Sequence, residues 1–463
     1  MGVGIRQVVG RVVLVVAIAV TALVVAANSP ATPPGGAQVP DPSGEFTALP
    51  PARLLDTRTG LGQPSSAPVG PGATIELQVT GRGGVPATGV SAAVLNITAV
   101  GPTASGFLTV YPTGANRPGI SNVNFVPGDV VPNMVTVALG TGGRISISNP
   151  LGSTHVLADV VGFYAGPTGP AGSRFHSVPS SRRFDTRSGW GLPAAGAIGP
   201  GGTLRVGVTG AVGVPATGVT AVVMNVTVVG PTAAGYLRVT PAGGSSATSS
   251  LNFSPGQTVP NLVTVAVGPG GAVDFFNPLG ATHVIADVVG YYGPGVGEEG
   301  RFVGIVPERF VDSRRFVPET KLPGGYYIVA YLGGGGGVPA ASVDAAVLNV
   351  TITEPTEAGF VTVFDDDDCD FPNSSNLNFG PGQTVANQVV TGLSTLGSGS
   401  CADPRFVPAA DVLNALGDVH FIIDVFGYFT TDAAPVAAAP SGRASAADAP
   451  SPGDVVSRPA TAR

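Results

Sequence analysis

A chain of 463 residues has room for roughly three domains of 100 to 200 residues, and a hydrophobic content of 43% supplies real cores, so a wholly disordered chain is excluded. Glycine (69) and proline (44) are abundant and charged residues make up only 11%, a mix that favours turns and strands and excludes an all-helical protein. The net charge of −7, with Lys321 as the only lysine, lacks the clustered cations of a nucleic-acid-binding protein.

At the N-terminus, Arg6 and Arg11 precede an apolar run over 12–27 that only Thr21 interrupts. This is the pattern of a secretory signal, with cleavage expected after Ala27, where Val25 and Ala27 fill the small-residue positions. The run falls short of the about 20 residues that span a bilayer, so a cleaved signal (1–27) is expected over a retained anchor. A Pro-rich linker (28–45) follows, and no second run of about 18 apolar residues appears. The mature chain is therefore expected to be secreted or cell-surface associated, with no membrane span.

From residue 46 the chain says the same thing three times. The first copy carries Arg53-Leu-Leu-Asp-Thr-Arg58, Ala93-Val-Leu-Asn-Ile-Thr98 and Thr154-His-Val-Leu-Ala-Asp-Val-Val-Gly-Phe-Tyr164. The second has Arg183-Phe-Asp-Thr-Arg187, Val223-Met-Asn-Val-Thr227 and Thr282-His-Val-Ile-Ala-Asp-Val-Val-Gly-Tyr-Tyr292; the third has Arg309-Phe-Val-Asp-Ser-Arg314, Val347-Leu-Asn-Val-Thr351 and Val419-His-Phe-Ile-Ile-Asp-Val-Phe-Gly-Tyr-Phe429. The spacing of roughly 130 residues far exceeds a solenoid unit, so each copy is read as a whole domain, over 46–165, 174–293 and 301–430. Within copy one, alternating or apolar runs at 52–56, 74–80, 92–100, 106–111, 121–126, 133–139, 143–148 and 154–164 are separated by turn residues. Short strands at this density predict an all-β chain of three tandem antiparallel β-sandwich, jelly-roll-like modules. Short Gly/Pro-rich links at 165–172 and 293–300 are expected to hold the modules in a row, and the Ala/Pro/Ser-rich tail (431–463) is expected to be disordered.

The recurring polar residues are candidates for structure before chemistry. His155, His283 and His420 each precede an aspartate, Asp159, Asp287 or Asp424, by four positions, which on a strand separates the pair by about 13 Å, too far to share one ion. Those aspartates sit among apolar same-face neighbours such as Leu157 and Val161, so they need a cationic partner. The arginine ending each first motif supplies it, giving the expected bridges Arg58 to Asp159, Arg187 to Asp287 and Arg314 to Asp424. A catalytic use of these residues is disfavoured because a catalytic site need occur only once. Nucleophile-elbow, zinc-protease and phosphate-loop patterns are absent from the sequence, so no catalytic residue, metal or cofactor is assigned. Asn96, Asn225 and Asn349 satisfy the glycosylation pattern but lie in apolar strands, where hydrogen bonding to a neighbouring loop is expected instead. Asn124, Asn252, Asn378, Asn133, Asn261 and Asn387 also recur, at strand ends, with the same reading.

Three features break the repeat. Cys369 and Cys401, an even pair in an exported chain, are expected to form a disulfide. Asp365 to Asp368 with Asp370 form an acidic cluster without the EF-hand pattern, read as a solvated loop with calcium as the alternative. Trp190 lies on an expected surface loop where copy one has Leu61, and exposed indoles stack on sugars, so it is the candidate ligand-binding residue.

Taken together, the first-motif arginines and aspartate, Gly-Val-Pro, Leu-Asn-Ile/Val-Thr, Asn-Pro-Leu-Gly and Ala-Asp-Val-Val-Gly-Tyr-Tyr resemble a repeat module of secreted and cell-surface proteins of high-GC Gram-positive bacteria, over about residues 46–430. The resemblance implies an extracellular accessory module, often beside wall hydrolases or peptidases, and carries over no catalytic residue. Copy three departs from it with Ser313, Ala415 and the cysteine-bearing insertion. The expected function is a non-catalytic surface or envelope-associated binding and structural protein that contacts cell-wall polysaccharide or a surface protein; the alternative is a secreted hydrolase of wall polymers, and side-by-side assembly of modules is a third reading.

Overall fold

The computed structural model describes residues 44–295, 297–365, 371–394 and 408–431, together with the backbone of 455–459. Residues 1–43, where a secretory signal is expected, both cysteines and all of the acidic cluster except Asp365 lie outside the described residues. The described chain is all-β, and no helix in it is long and apolar enough to cross a membrane.

Each repeat contributes eight strands to two antiparallel sheets. In the first, β1 (Phe46–Asp56), β8 (His155–Ala165), β3 (Val90–Val100) and β6 (Val130–Ala138) form an inner sheet in that order. An outer sheet follows the order β2 (Ala73–Gln78), β7 (Arg144–Asn149), β4 (Gly106–Pro112) and β5 (Val123–Phe125). These eight strands coincide with the eight runs expected from the sequence. The second repeat has β9 (Arg174–Asp185), β16 (His283–Gly293), β11 (Ala221–Val229) and β14 (Thr258–Ala266) inside; β10 (Gly202–Gly207), β15 (Ala272–Asn277), β12 (Gly235–Pro241) and β13 (Leu251–Phe253) lie outside. The third orders β17 (Phe302–Asp312), β24 (His420–Thr430), β19 (Val343–Thr353) and β22 (Thr384–Gly392) inside. Its outer sheet has five strands: β21 (Leu377–Phe379), β20 (Gly359–Phe364), β23 (Ala409–Asn414), β18 (Tyr326–Tyr331) and β25 (Val455–Pro459). The last corrects the expectation of a wholly disordered tail: Val455 and Val456 are β-branched and pair along an open strand edge.

Burial explains why the inner strands read as continuous apolar runs while the outer ones alternate. On β3, Ala93, Leu95, Ile97 and Ala99 face the core of their own repeat, which the outer sheet completes with Leu77, Leu108, Val110 and Ile147. The intervening Ala92 and Val94 face the opposite way, into a second cluster that also holds Phe175, Val223 and Leu262 of the second repeat and Phe302, Val347 and Phe429 of the third. Both faces of the inner sheets are therefore buried, so neither face demands polar residues.

The repeats close on themselves instead of standing in a row. Phe46 and Ser173 exchange backbone hydrogen bonds (2.8 and 2.9 Å), the Phe175 N–H donates to Gly300 O (3.0 Å), and the Phe302 N–H returns to Gly44 O (2.9 Å). Six rings stack across the three junctions: Phe46 on Tyr292, Phe175 on Phe429, and Phe302 on Tyr164, with centroids 4.1 to 4.3 Å apart. The short links impose this closure, because burying the second face of each inner sheet requires the next repeat to fold back over it.

The invariant glycine of the closing motif has a packing cause. A Cβ at Gly162 would lie 2.3 Å from the Phe46 ring, one at Gly290 would lie 2.4 Å from Phe175, and one at Gly427 would lie 2.5 Å from Phe302. Gly162→Ala must displace an aromatic anchor of the axis, and we expect it to destabilise the chain by about 1–3 kcal/mol, measured as a lowered urea midpoint. An alanine at Gly101, where a Cβ meets nothing within 4 Å, is the wrong control because its φ is +58°; Gly119→Ala, in open space and outside the left-handed region, is expected to be neutral.

Candidate functional site at the seams between repeats

The buried aspartates have arginine partners, but not the expected ones. Asp159 binds Arg53 in a two-pronged bridge (Nε–Oδ1 2.7 Å, Nη2–Oδ2 2.9 Å), Asp287 binds Arg182 (2.9 and 3.4 Å), and Asp424 binds Arg309 (2.7 and 3.2 Å). Arg58, Arg187 and Arg314 turn back onto Asp56, Asp185 and Asp312, each at 2.7 Å. The reason is register: Arg53 stands directly opposite Asp159 in the β1–β8 ladder, whereas Arg58 lies beyond the strand, where its own backbone N–H also binds Asp56. Each repeat thus contains an alternating chain of charge, Arg58–Asp56–Arg53–Asp159 in the first, with Arg53 3.5 Å from Asp56.

The two aspartates of a chain experience opposite environments. Burial raises the pKa of Asp159, Asp287 and Asp424 despite their arginines, and carries Asp424 to about 6. Asp56 is held below its ordinary value by the Arg58 side chain. At Asp185 and Asp312 burial works upwards, but the hydrogen bonds from Arg187 and Arg314 outweigh it and the net shift is downwards.

Asp159 and Asn96 are register neighbours on β8 and β3, as are Asp287 and Asn225, and Asp424 and Asn349. This row is the face that meets the next repeat. Asn96 Nδ2 donates to Ser249 O of the second repeat (2.9 Å), Asn225 to Ser375 O of the third, and Asn349 to Ser121 O of the first (2.6 Å). Asn261 in turn donates to Asn96 Oδ1 (3.1 Å), Asn387 to Asn225 Oδ1 (3.0 Å) and Asn133 to Asn349 Oδ1 (2.9 Å). The loop that these asparagines were expected to bind belongs to the neighbouring repeat, and the glycosylation-pattern asparagines are buried. Asn133, Asn261 and Asn387, expected to hydrogen-bond in the same way, also bond to backbone: their Oδ1 accepts the backbone N–H of Gln388, Met134 and Leu262 respectively, again across a seam.

The axis is not symmetric in charge. Glu45, Arg174 and Arg301 each precede the first aromatic anchor of a repeat, Phe46, Phe175 or Phe302. Glu45 pairs with Arg174 at 2.9 Å and approaches Arg301 at 3.7 Å. Three identical charges there would repel, so this arrangement distinguishes one junction from the others. Likewise Tyr164 and Tyr292 share a buried hydroxyl–hydroxyl hydrogen bond (2.5 Å), whereas Phe429 at the third position has none to offer.

His155, His283 and His420 sit apart from the aspartates, each with Nδ1 3.0 to 3.1 Å from the hydroxyl of Thr57, Thr186 or Ser313. These hydroxyls also accept the backbone N–H of Val156, Val284 and Phe421 and so latch the motif turn to the last strand. His420 Nε2 additionally meets Glu319 at 2.9 Å. Among the described residues no three His, Cys, Asp or Glu side chains group as a metal site.

Trp190 lies on a turn whose ends are bridged, the Asp185 N–H donating to Trp190 O (3.0 Å), and its indole N–H reaches Arg182 O (3.3 Å). Trp190 is nevertheless 65% exposed as a residue; Leu61, bridged to Asp56 in the same way, is 41% exposed. The turn therefore presents an aromatic face in one repeat and an aliphatic one in another.

No family model matches the chain, and no curated protein matches it. Among solved structures, a chain from "The Triple Jelly Roll Fold and Turret Assembly in an Archaeal Virus" is 8% identical, with 84% of this chain and 91% of that one covered at a TM-score of 0.16. A chain from "Life in the extremes: atomic structure of Sulfolobus Turreted Icosahedral Virus" is 10% identical, with 79% and 85% covered at 0.15. Likenesses at these scores carry no argument about this protein.

Arg53→Ala strands a buried carboxylate, whereas Arg58→Ala removes a half-exposed partner. In urea unfolding at pH 7 we expect the first to cost about 3 kcal/mol and the second about 1 kcal/mol or less. The pH dependence follows from Asp424, whose folded pKa of about 6 exceeds the about 3.9 of an unfolded aspartate. The folded chain binds the extra proton between those values, so this carboxyl's contribution to stability falls as pH rises from about 4 to 6. Asp424→Asn should flatten that slope in unfolding curves taken across the window.

Proposed function

We propose that this chain is a secreted, non-catalytic protein of the cell surface or envelope, built as three jelly-roll-like sandwich modules over 46–165, 174–293 and 301–430, that binds cell-wall polysaccharide on a rigid platform. One observation carries the reading: the ionisable and amide side chains that recur in every repeat are spent on bonds inside the fold, while the side chain that differs at the equivalent turn, Trp190, is exposed on a braced one. Buried, mutually paired carboxylates serve register and closure, and an immobilised exposed indole offers a flat apolar face to a sugar ring at little entropic cost. The extracellular setting rests on the N-terminal pattern and on the resemblance of the repeated motifs.

Sedimentation of the purified chain with insoluble bacterial cell wall, paired with an assay for released sugars, tests this. We expect binding without release, and about a tenfold weaker association for Trp190→Ala, corresponding to the loss of one aromatic stacking contact. Release of soluble fragments would replace this reading with the hydrolase alternative, and absence of binding would remove the wall as ligand.

A further inference from the structure

The register of the outer sheets makes their first strands directly comparable. Ala73 faces Asn149, Gly202 faces Asn277 and Tyr326 faces Asn414, so Glu76, Arg205 and Val329 are equivalent, as are Thr74, Thr203 and Tyr327. In the first two repeats these edge strands have one partner each among the described residues, and their outward positions are polar. Glu76 pairs with Arg144 (3.3 Å) and Arg205 with Asp274 (2.7 Å). Charges on an open edge discourage pairing with another chain.

The third repeat abandons this protection. Its edge strand β18, Tyr-Tyr-Ile-Val-Ala-Tyr, carries no charge, and four of its six residues are buried. Val329 and Tyr331 join Ala409 in a separate apolar cluster on the outward side. This is also the edge that carries a fifth strand: Ala330 pairs with Val455 and Tyr326 with Pro459 in antiparallel register. Proline, lacking an N–H, is tolerated at the end of an edge strand. The donor strand is joined to Thr431 by 432–454, a stretch that at about 3.3 Å per residue reaches some 75 Å when extended, so covalent connection does not confine it to its own repeat.

We propose that the β18 edge is a strand-acceptor surface for a second copy of this chain: residues 455–459 occupy it in the isolated molecule, and the same segment of a neighbouring copy takes the same register when copies are crowded, linking chains by strand exchange. Main-chain pairing supplies the affinity, and the uncharged edge of the third repeat alone selects it over the equivalent edges of the first two. The inference is independent of the wall-binding reading.

The test uses the full chain and a variant with the donor broken, Val455→Pro/Ser457→Pro, probed with a labelled synthetic peptide of residues 452–463. We expect saturable binding of the peptide to the broken-donor variant, at least about tenfold weaker binding to the unaltered chain, whose own strand competes at high effective concentration, and none of a peptide carrying the same Val455→Pro and Ser457→Pro changes. Sedimentation at rising concentration should show dimers of the unaltered chain that the broken-donor variant lacks. Hydrogen exchange across 326–331 establishes that the unaltered chain pairs this edge and that the variant retains β23 pairing and hence a folded third repeat. Failure of the peptide to bind a folded broken-donor variant would overturn the acceptor assignment, and equal dimerisation of the two proteins would overturn the exchange.

Discussion

Everything else in this structure depends on the inner sheets being covered on both faces. One face of each packs on its own outer sheet and the other on the inner sheets of the two neighbouring repeats, with Phe46, Tyr164, Phe175, Tyr292, Phe302 and Phe429 at the centre. An isolated repeat would expose that second face, a contiguous apolar surface of the kind that drives association. Closure of the ring within one chain satisfies it without recruiting other molecules, at the modest cost of ordering two short links.

Burial on this scale creates a problem of specificity, because apolar contact alone is tolerant of sliding. The polar rows answer it. Arg53, Asp159 and Asn96, with their counterparts in the other repeats, stand at one level of the sheet, and the asparagines reach across the seam through hydrogen bonds whose loss would leave buried groups unpaired. A bidentate arginine bridge contributes little net stability once desolvation is subtracted, yet a shifted register would isolate the carboxylate. Glu45 between Arg174 and Arg301, and the Tyr164–Tyr292 pair beside Phe429, add asymmetry that only a single chain with three non-identical repeats can encode.

The functional reading follows from this division of labour. Side chains shared by the repeats hold the ring, and two of the places where the repeats differ lie away from the axis: Trp190 against Leu61 on the motif turn, and the uncharged β18 strand against the charged edges carrying Glu76 and Arg205. A rigid frame with differentiated surfaces is the basis on which we propose attachment as its role.

The strands were legible in the sequence because period-two patterning and Gly/Pro punctuation are local properties: each of the eight runs in the first repeat became a strand, and the recurrence of the motifs announced three equivalent units. The need of Asp159 for an arginine was legible too, since a carboxylate between Leu157 and Val161 requires a cation. Which arginine answers it was not, because Arg53 and Arg58 sit five positions apart in one motif and only the pairing of β1 with β8 places Arg53 opposite the carboxylate. The same holds for Asn96 and Asn133, whose partners are 153 and 216 positions away, and for the closing glycine, whose missing Cβ makes room for a ring contributed by a different strand. By itself the sequence determined the elements, their number and their recurrence, because these follow from patterns within a few residues. Only the tertiary structure decided that the repeats form a ring, because that outcome rests on burying surfaces whose partners lie more than a hundred residues apart along the chain.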